Sequence, residues 1–466
     1  MLKKALLILF IGVQTISFGQ TTLASFFSDH MVLQQNMKVS IWGKDKPKTK
    51  INIQTSWGES IQIKTDKNGN WLDKIKTPIA GGPYTIKIKG SDTIELTDVY
   101  IGEVWLCSGQ SNMEMPVKGY PNQPVNGSQE AILNGDNNLL RVFKVAKNSS
   151  LSPLDNVEGD WKVANSLSIG NFSATAYFFG KRIQNTTGCP VGLIVTSWGG
   201  SRAEAWTDKA SLEEFKSVKI PTEIPKKGIQ RTPTVLFNAM LNPLIGYSIK
   251  GAIWYQGESN RYEAYEYAQL ITSMVSSWRK KWNQGDFPFY FVQIAPYNYG
   301  EKANSAFLRE AQFNTQKSLK NSGMAVTLDI GDPKFIHPRE KRLVGERLAY
   351  WALAKDYGIA GIEYSGPTYK SMTIKNDNVT ITFENAPNGI STFGKELSGF
   401  EIAGEDKIFH AAKGKVLKSK GVLSISSDKV NKPIAVRYNF HNLVEASLFS
   451  TSGLPASSFR TDNWEE

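Results

Sequence analysis

Short apolar runs alternate with helical patterns through the middle of the chain. The runs that predict buried strands, each followed by a loop rich in glycine and polar residues, are 104–107, 191–196, 250–255, 287–294 and 324–328. Apolar residues at three- and four-residue steps predict amphipathic helices over 267–282, 306–320 and 338–354, the last with Pro338 at its first position. Strands that alternate with helices form parallel sheets, which hold ligands beyond the carboxyl ends of the strands. The pattern therefore predicts an α/β domain whose functional loops meet on one edge.

A different pattern flanks this core on both sides. Residues 24–100 show short alternating strands separated by turn residues, and residues after 358 repeat that style. Both regions predict antiparallel β-sandwich structure, and the two could pack together because each is small. The predicted order is a β-rich region at 20–100, the α/β domain at 101–357 and a second β-rich region at 358–466.

The first residues predict a secretory signal peptide at 1–19. Lys3 and Lys4 precede an apolar run from 5 to 13, and small residues stand at Ser17 and Gly19. The run is too short for a stable membrane anchor, and no cysteine stands at the cleavage point. We therefore expect a secreted or periplasmic protein, cleaved after Gly19 and not inserted in a membrane.

The run from Trp105 to Pro116 carries the most informative chemistry. A strand ends at Ser108 and Gly109, and the bend that follows carries Ser111. Glycine allows a sharp turn there, which would expose the Ser111 hydroxyl at the end of a rigid strand. A serine in that position can attack an acyl carbon if a base and an oxyanion site are nearby.

His337 is the best candidate for that base among the four histidines of the chain. His30 and His441 fall in the flanking β-rich regions, and His410 falls on a predicted strand edge. Only His337 follows a core strand and opens a predicted helix on the functional edge. An imidazole in that position can act as a general base near neutral pH.

Four ordered blocks resemble the sialate O-acetylesterase family, which belongs to the SGNH-type serine hydrolases. The blocks are residues 109–113, 199–201, 256–258 and 336–338. Residues 27–34 and 453–456 also resemble flanking segments of the family, so the similarity covers nearly the whole mature chain. The resemblance implies an SGNH-hydrolase-like parallel sheet flanked by helices, with N- and C-terminal antiparallel β-sandwich regions.

The resemblance also implies roles for particular residues. Ser111 would be the nucleophile and His337 the general base. The oxyanion hole would consist of the backbone N–H groups of Ser111 and Gly200 and the side chain of Gln256. Gly199 could replace Gly200, and Asn260 could replace Gln256, because the sequence does not show which group points inward.

The third member of a catalytic triad is open. Many relatives have an acid just before the Ile-His-Pro block, where this chain has Lys334 and Phe335. Asp332 is the nearest carboxylate, and we predict that it orients His337. Asp329 or a main-chain carbonyl near Phe335 is the alternative, the latter giving a Ser-His dyad.

Polar and aromatic residues near the predicted edge are candidates for substrate binding. Arg202 could grip a substrate carboxylate through a bidentate contact, which would suit a sialic acid. Asn260 is also predicted to contact substrate, whereas Glu258 is expected to pair with a buried arginine such as Arg202. The tryptophans that border the loops and could stack on sugar rings are Trp198, Trp206 and Trp254.

Composition narrows the possible partners. The net charge is +11, but the basic residues are scattered, so we expect no nucleic-acid partner. No spacing of His, Cys and carboxylate residues fits zinc, and we expect neither a metal nor another cofactor. Cys107 and Cys189 fall at opposite ends of neighbouring predicted strands, which makes a disulfide improbable. The oligomeric state is left open.

The sequence thus predicts a secreted carbohydrate O-acetylesterase that removes O-acetyl groups from sialic acids through an acetyl-enzyme intermediate. The alternative enzyme is an acetylxylan or other plant-polysaccharide acetylesterase, because the loops around the site determine which sugar binds. A sugar-binding protein that has lost activity is the alternative from another class. The missing acid before His337 is the observation in favour of that last hypothesis.

Overall fold

The N-terminal β-rich region consists of two layers of mostly antiparallel strands. The computed structural model describes residues 20–300 and 304–464, so the predicted signal peptide lies outside the described residues. The strands of this region are β1 (Thr22–Leu23), β2 (Val32–Gln34), β3 (Lys38–Lys44), β4 (Lys50–Thr55), β5 (Ser60–Lys64), β6 (Asn70–Lys76) and β7 (Gly81–Lys89). β1, β3 and β6 form one sheet, whereas β4, β5 and β7 continue into the core sheet. Burial alternates along β3, as the alternating sequence predicts for a sheet with one covered face.

The core is a mainly parallel sheet, which confirms the predicted α/β class. Its strands are β8 (Thr93–Gly109), β9 (Asn137–Lys144), β10 (Trp161–Ala164), β11 (Val191–Ser197), β12 (Gly251–Tyr255), β13 (Phe289–Val292) and β14 (Ser322–Ala325). Their order is β10-β9-β11-β8-β12-β13-β14, and β10 alone in this series pairs antiparallel to its neighbour. Ser197 and Tyr255 both align with Gly109, so β11, β8 and β12 end on the same edge.

Helices cover both faces of this sheet. They are α1 (Ser111–Glu114), α2 (Ser128–Leu133), α3 (Ser166–Gly170), α4 (Ala174–Thr187), α5 (Lys209–Leu212), α6 (Ala264–Trp282), α7 (Ala306–Ser318) and α8 (Lys341–Lys355). α4 packs with α8, and α6 packs with α7. Side chains of β8 alternate between the two layers, with Trp105 and Cys107 in the α4–α8 layer and Val104 and Leu106 in the other. This alternation explains why the strand is apolar at successive positions.

Most predicted boundaries differ from the structure by a few residues, and two of these differences adjoin the His337 loop. The helix expected from 338 begins at Lys341, so Pro338 precedes the helix and is not its first residue. The last core strand ends at Ala325, and residues 326–328 already belong to the loop that follows it. The apolar run at 324–328 extends beyond the hydrogen-bonded strand because loop residues such as Leu328 are also buried in the core.

The C-terminal region is also built from antiparallel strands. They are β15 (Thr368–Lys375), β16 (Asn378–Glu384), β17 (Ile390–Ser391), β18 (Phe400–Ala403), β19 (His410–Ala411), β20 (Lys413–Val416), β21 (Val422–Ser426), β22 (Ala435–Tyr438), β23 (Phe449–Ser450) and β24 (Phe459–Arg460). The two larger sheets are β15-β16-β21-β20 and β19-β18-β22-β24. Within the described ranges, no hydrogen bond joins this region to the N-terminal one; each region bonds to the core instead. No helix of the described residues is both long and apolar enough to cross a membrane.

Candidate active site

The Ser111 loop begins at a position that only glycine can occupy. Gly109 ends β8 with a φ of +142°, and a Cβ added there would lie 2.2 Å from the carbonyl oxygen of Tyr255. The Gln110 N–H donates to that same oxygen at 2.9 Å, which fixes the turn against β12. Ser111 then opens the short helix α1. Among the described residues its backbone N–H and its Oγ make no hydrogen bond, so both groups are free to meet a substrate.

The loop after β11 lies directly against Ser111. A Cβ added to Gly199 would lie 3.4 Å from the Ser111 Cβ and 3.2 Å from Glu114 Oε2. The Gly199 N–H already donates to Glu114 Oε2 at 2.5 Å, so it is not available for an oxyanion. Gly200 has a φ of +75°, and its N–H makes no hydrogen bond within the described part of the chain. The structure therefore favours Gly200 over Gly199 as a donor to substrate.

The imidazole of His337 is held by a glutamine and a tyrosine. His337 Nδ1 lies 2.5 Å from Gln123 Oε1, and the Tyr120 ring meets the imidazole edge to face at 5.6 Å. Since a glutamine oxygen only accepts, Nδ1 carries the proton and Nε2 is the unprotonated nitrogen, as a general base requires. Burial, and then the positive charge of Lys341, lower the pKa of His337 to about 4. The ring is therefore neutral at physiological pH.

The loops that carry Ser111 and His337 are bonded to each other. The Asn112 Nδ2 group donates to the carbonyl oxygen of Ile336 at 3.2 Å, which links the residue after Ser111 to the residue before His337. Further along, the Asn126 N–H donates to the Arg339 carbonyl oxygen at 3.0 Å. Both loops thus lie along the same edge of the sheet, as the parallel topology predicts.

Asp332 does not orient His337, which corrects our prediction for the third member of the triad. Its carboxylate accepts from the N–H groups of Lys334 and Phe335 and from Arg339 Nη2 at 2.8 Å. The alternative, Asp329, forms a bidentate pair with Arg347 at 2.7 and 2.6 Å. Each carboxylate is occupied by a nearby arginine, and the partner of His337 Nδ1 comes from the loop after α1 instead.

Gln256 is buried and fully hydrogen-bonded, so it does not fit the predicted role of oxyanion donor. Its Nε2 donates to the Ser201 carbonyl oxygen at 3.2 Å and to Asn260 Oδ1 at 2.7 Å, and its Oε1 accepts from Tyr267 at 2.9 Å. Asn260 is equally committed, because its Oδ1 also accepts from the Ala203 N–H and its Nδ2 donates to a carboxylate. Both side chains tie the loops after β11 and β12 together, which also excludes Asn260 as a substrate contact in this arrangement.

Arg202 pairs with neighbouring carboxylates and not with Glu258. Its guanidinium contacts Glu204 at 2.8 Å and Glu263 at 2.9 Å, and about a quarter of the side chain (26%) is exposed. Glu258 is buried and accepts from Asn112 Nδ2 at 2.6 Å, so the predicted Arg202–Glu258 pair is wrong. Because two carboxylates already neutralise Arg202, it has no unpaired charge with which to bind a substrate carboxylate as predicted.

The tryptophans differ in exposure. Trp206 and Trp254 are buried and pack edge to face against each other, so neither can stack on a sugar; this corrects the predicted role of Trp206. The Trp206 indole N–H donates to Ser201 Oγ inside the core. Trp198 is half-buried beside Gly199, with Lys147 Nζ 5.7 Å from its ring centre. It is the one of the three that can offer an aromatic face to a sugar.

The described residues contain no group of three or more His, Cys, Asp or Glu side chains arranged to hold a metal ion. Cys107 and Cys189 are both free. Cys107 is buried, and burial raises the pKa of its thiol, so it is not a reactive thiolate.

Sequence reasoning missed the residues that hold the catalytic candidates in place. Gln123 lies in an irregular loop with no periodic pattern, so nothing in the sequence indicated that it contacts His337. Glu114 and Lys341 could have been considered from the sequence, because each lies close to a catalytic candidate. Glu114 is three residues after Ser111, and Lys341 is four residues after His337. Asn112 stands inside the Gly-Gln-Ser-Asn-Met block itself.

Comparisons with known proteins place the chain among carbohydrate esterases. The family model described as carbohydrate esterase, sialic acid-specific acetylesterase, matches residues 101–353, a segment that contains both Ser111 and His337. The sialate O-acetylesterase of Rattus norvegicus is 29% identical over 448 residues, covering 82% of this chain and 81% of that protein. The sialate O-acetylesterase of Homo sapiens is 30% identical over 383 residues, covering 74% and 72%. A solved carbohydrate acetylesterase from Xanthomonas citri superposes with a TM-score of 0.88 at 34% identity, over 96% of this chain and 100% of that one.

Proposed function

The chain belongs to the family of sialic acid-specific carbohydrate acetylesterases, and from that membership we propose that it is a secreted serine esterase that releases acetate from O-acetylated sialic acids. Membership alone makes it a carbohydrate esterase. The sugar, the export and the catalytic residues are the parts we propose. Export is supported by the signal-peptide pattern at 1–19.

In the proposed mechanism Ser111 Oγ attacks the acetyl carbonyl carbon while His337 Nε2 takes the hydroxyl proton. The N–H groups of Ser111 and Gly200 stabilise the oxyanion that forms, because neither has another partner among the described residues. The bond to the sugar oxygen then breaks, and the imidazolium gives its proton to that oxygen. Water repeats the sequence on the acetyl-Ser111 ester, which releases acetate and restores the free serine.

The contact between Asn112 Nδ2 and the Ile336 carbonyl oxygen supports this mechanism most directly. It bonds the nucleophile loop to the base loop on the edge where α/β sheets hold ligands. Gln123 adds support, because it fixes the tautomer of His337 without a carboxylate. Since Gln123 does what the missing acid would do for the tautomer, the lack of an acid before His337 no longer supports the hypothesis of an inactive sugar-binding protein.

The pairing of Arg202 favours a second candidate substrate, an acetylated neutral polysaccharide such as acetylxylan. A sialic acid carries a carboxylate that needs a cation, and Arg202 is already paired with Glu204 and Glu263. A neutral sugar needs no such cation and could use the face of Trp198.

Acetate release from O-acetylated sialic acid and from acetylated xylan, measured side by side at equal acetyl concentration, tests the choice. We expect a higher kcat/KM for the sialic acid ester. A preference for xylan would replace the first candidate with the second. Release from neither substrate, with an intact fold, would contradict both. N-terminal sequencing of protein recovered from the medium or periplasm tests export, and the expected first residue is Gln20.

A further inference from the structure

A buried charged chain lies behind the two catalytic candidates. Lys341, the first residue of α8, is fully buried, and its Nζ donates to Asn112 Oδ1 at 2.5 Å. Asn112 Nδ2 in turn donates to Glu258 Oε1 at 2.6 Å, and Glu258 is also buried. The amide thus lies between a buried cation and a buried carboxylate. Taking two charges out of water costs several kcal/mol per ion, so apolar residues would serve stability better here.

The two charges decide which way the Asn112 amide points. An ammonium group only donates and a carboxylate only accepts, so Oδ1 must face Lys341 and Nδ2 must face Glu258. With that orientation fixed, the second Nδ2 hydrogen points at the Ile336 carbonyl oxygen, 3.2 Å away. The reversed amide would place an oxygen against that carbonyl and against the carboxylate. The contact between the two catalytic loops therefore depends on the charges at both ends.

We propose that Lys341 and Glu258, acting through Asn112, are positioning residues that hold the loop of Ser111 in register with the loop of His337. The proposal rests on the catalytic roles proposed above for Ser111 and His337. Thr175 of α4 supports the same point, because its Oγ1 donates to the Asn112 carbonyl oxygen at 3.2 Å. Asn112, the residue that follows the nucleophile, is thus hydrogen-bonded to α4, to α8 and to the loop after β12.

Lys341 also places a positive charge close to His337. The groups that face the imidazole from the loop after α1 are Tyr120 and Gln123. Within the described part of the chain, Lys341 is the one charge that acts on it. On its own segment, Arg339 and Asp332 pair with each other.

Three groups of the described residues face Lys341 itself. They are Asn112, the carboxylate of Glu258 and the ring of Tyr255, whose centre lies 5.3 Å from Nζ. Burial lowers the pKa of Lys341 to about 7, so it is charged where His337 titrates.

Titration of His337 by NMR tests this arrangement without any substrate. The chain has four histidines, so ring signals of a histidine-labelled sample can be assigned with His337→Gln. Lys341→Met removes the charge, and we expect the pKa of His337 to rise by about one unit. Lys355→Met removes a charge from the exposed end of the same helix and should leave it unchanged. If Lys341→Met does not fold, Lys341→Gln removes the same charge and keeps a donor for Asn112. A folded Lys341 variant in which His337 titrates as in the wild type would mean that Lys341 does not lie beside the His337 loop, and that result would overturn the proposal.

Kinetics of Asn112→Ala test the positioning itself. Because a displacement of about 1 Å at reacting groups can cost about 100-fold, we expect kcat for an acetyl ester to fall about 100-fold while KM stays nearly constant. Asn126→Ala is the control: it removes the Asn126 side-chain bond to Glu340 and keeps the backbone bond to Arg339, so we expect a loss below about 10-fold. A folded Asn112→Ala enzyme with wild-type kcat would overturn the inference. A wild-type protein that cleaves no acetyl ester would instead refute the proposed function, and the His337 titration would still decide the charge effect.

Discussion

At the scale of single residues, the most unusual feature of the site is the glutamine beside the catalytic histidine. In the familiar triad a carboxylate holds the imidazole and stabilises the imidazolium that forms. Gln123 Oε1 holds Nδ1 in the same way but carries no charge. It can therefore fix the tautomer without raising proton affinity, and burial and Lys341 then lower the pKa of His337 to about 4.

The pH dependence of kcat/KM follows from that lowered pKa. A general base works only when it is deprotonated, so a lower pKa moves the loss of activity to lower pH. We expect the acid limb near pH 4 and not near the ordinary value of 6.5. The check is to measure acetate release at subsaturating substrate from about pH 3.5 to about pH 8, a range that includes both pKa values. An acid limb at pH 6 to 7 would contradict this, because His337 would then titrate near its ordinary value.

Gln123→Glu should convert the pair into a carboxylate–imidazole pair. An adjacent opposite charge favours the protonated ring, so we expect the pKa of His337 and the acid limb to rise by about 1–3 units. Gln123→Leu is the matched control, since it removes the acceptor without adding charge and should lower kcat without raising the limb. An unchanged limb in Gln123→Glu would mean that Gln123 does not contact the imidazole in solution.

At the scale of elements, the sequence predicted what depends on periodicity and chain order. The core strands, the long helix α6 and the shared edge were predictable because buried strands, amphipathic helices and parallel topology have sequence signatures. Ser111 and His337 followed from their places after core strands. The side chain that holds His337 was not predictable. Gln123 reaches His337 from an irregular loop, and the expected partner, Asp332, pairs with Arg339 instead.

The contacts of Gln256 were also not predictable from the sequence, and they lead to a prediction about stability. The family resemblance implied that Gln256 is an oxyanion donor, but the side chain joins two loops inside the core. Gln256→Ala would leave the Ser201 carbonyl oxygen without its donor among the described residues and would take one of two donors from Asn260 Oδ1, so we expect a loss of about 1–3 kcal/mol in the free energy of unfolding. Urea unfolding measures it, with Gln269→Ala on the exposed face of α6 as the control. A loss of activity of about 100-fold or more in the folded variant, without a loss of stability, would restore the oxyanion role.

At the scale of the whole molecule, the core sheet does not end where composition changes. The predicted boundary at 100/101 falls within β8, whose first half pairs with β2 and β7 and whose second half carries the nucleophile. On the other side, the buried guanidinium of Arg309 on α7 donates to the carbonyl oxygens of Asn439 and His441. Both β-rich regions therefore complete the core as well as flanking it.

A fragment of residues 101–357 should consequently fail to fold alone. It would expose the edge of β8 that pairs with β2, remove the C-terminal acceptors of Arg309, and uncover apolar core surface that the C-terminal region now covers. Circular dichroism and thermal unfolding of the fragment, beside residues 20–466, check this. A cooperative transition in the fragment at the temperature of the longer chain would contradict the account.

The account as a whole depends on a covalent acetyl group passing through Ser111. The most direct measurement is mass spectrometry of enzyme quenched in acid during turnover of an acetylated sugar, followed by peptide mapping, with Ser111→Ala in parallel. The account predicts an acetyl adduct confined to the peptide that contains Ser111, and acetate release at least about 1,000-fold slower in Ser111→Ala. An adduct on another residue, or wild-type acetate release by folded Ser111→Ala, would contradict it.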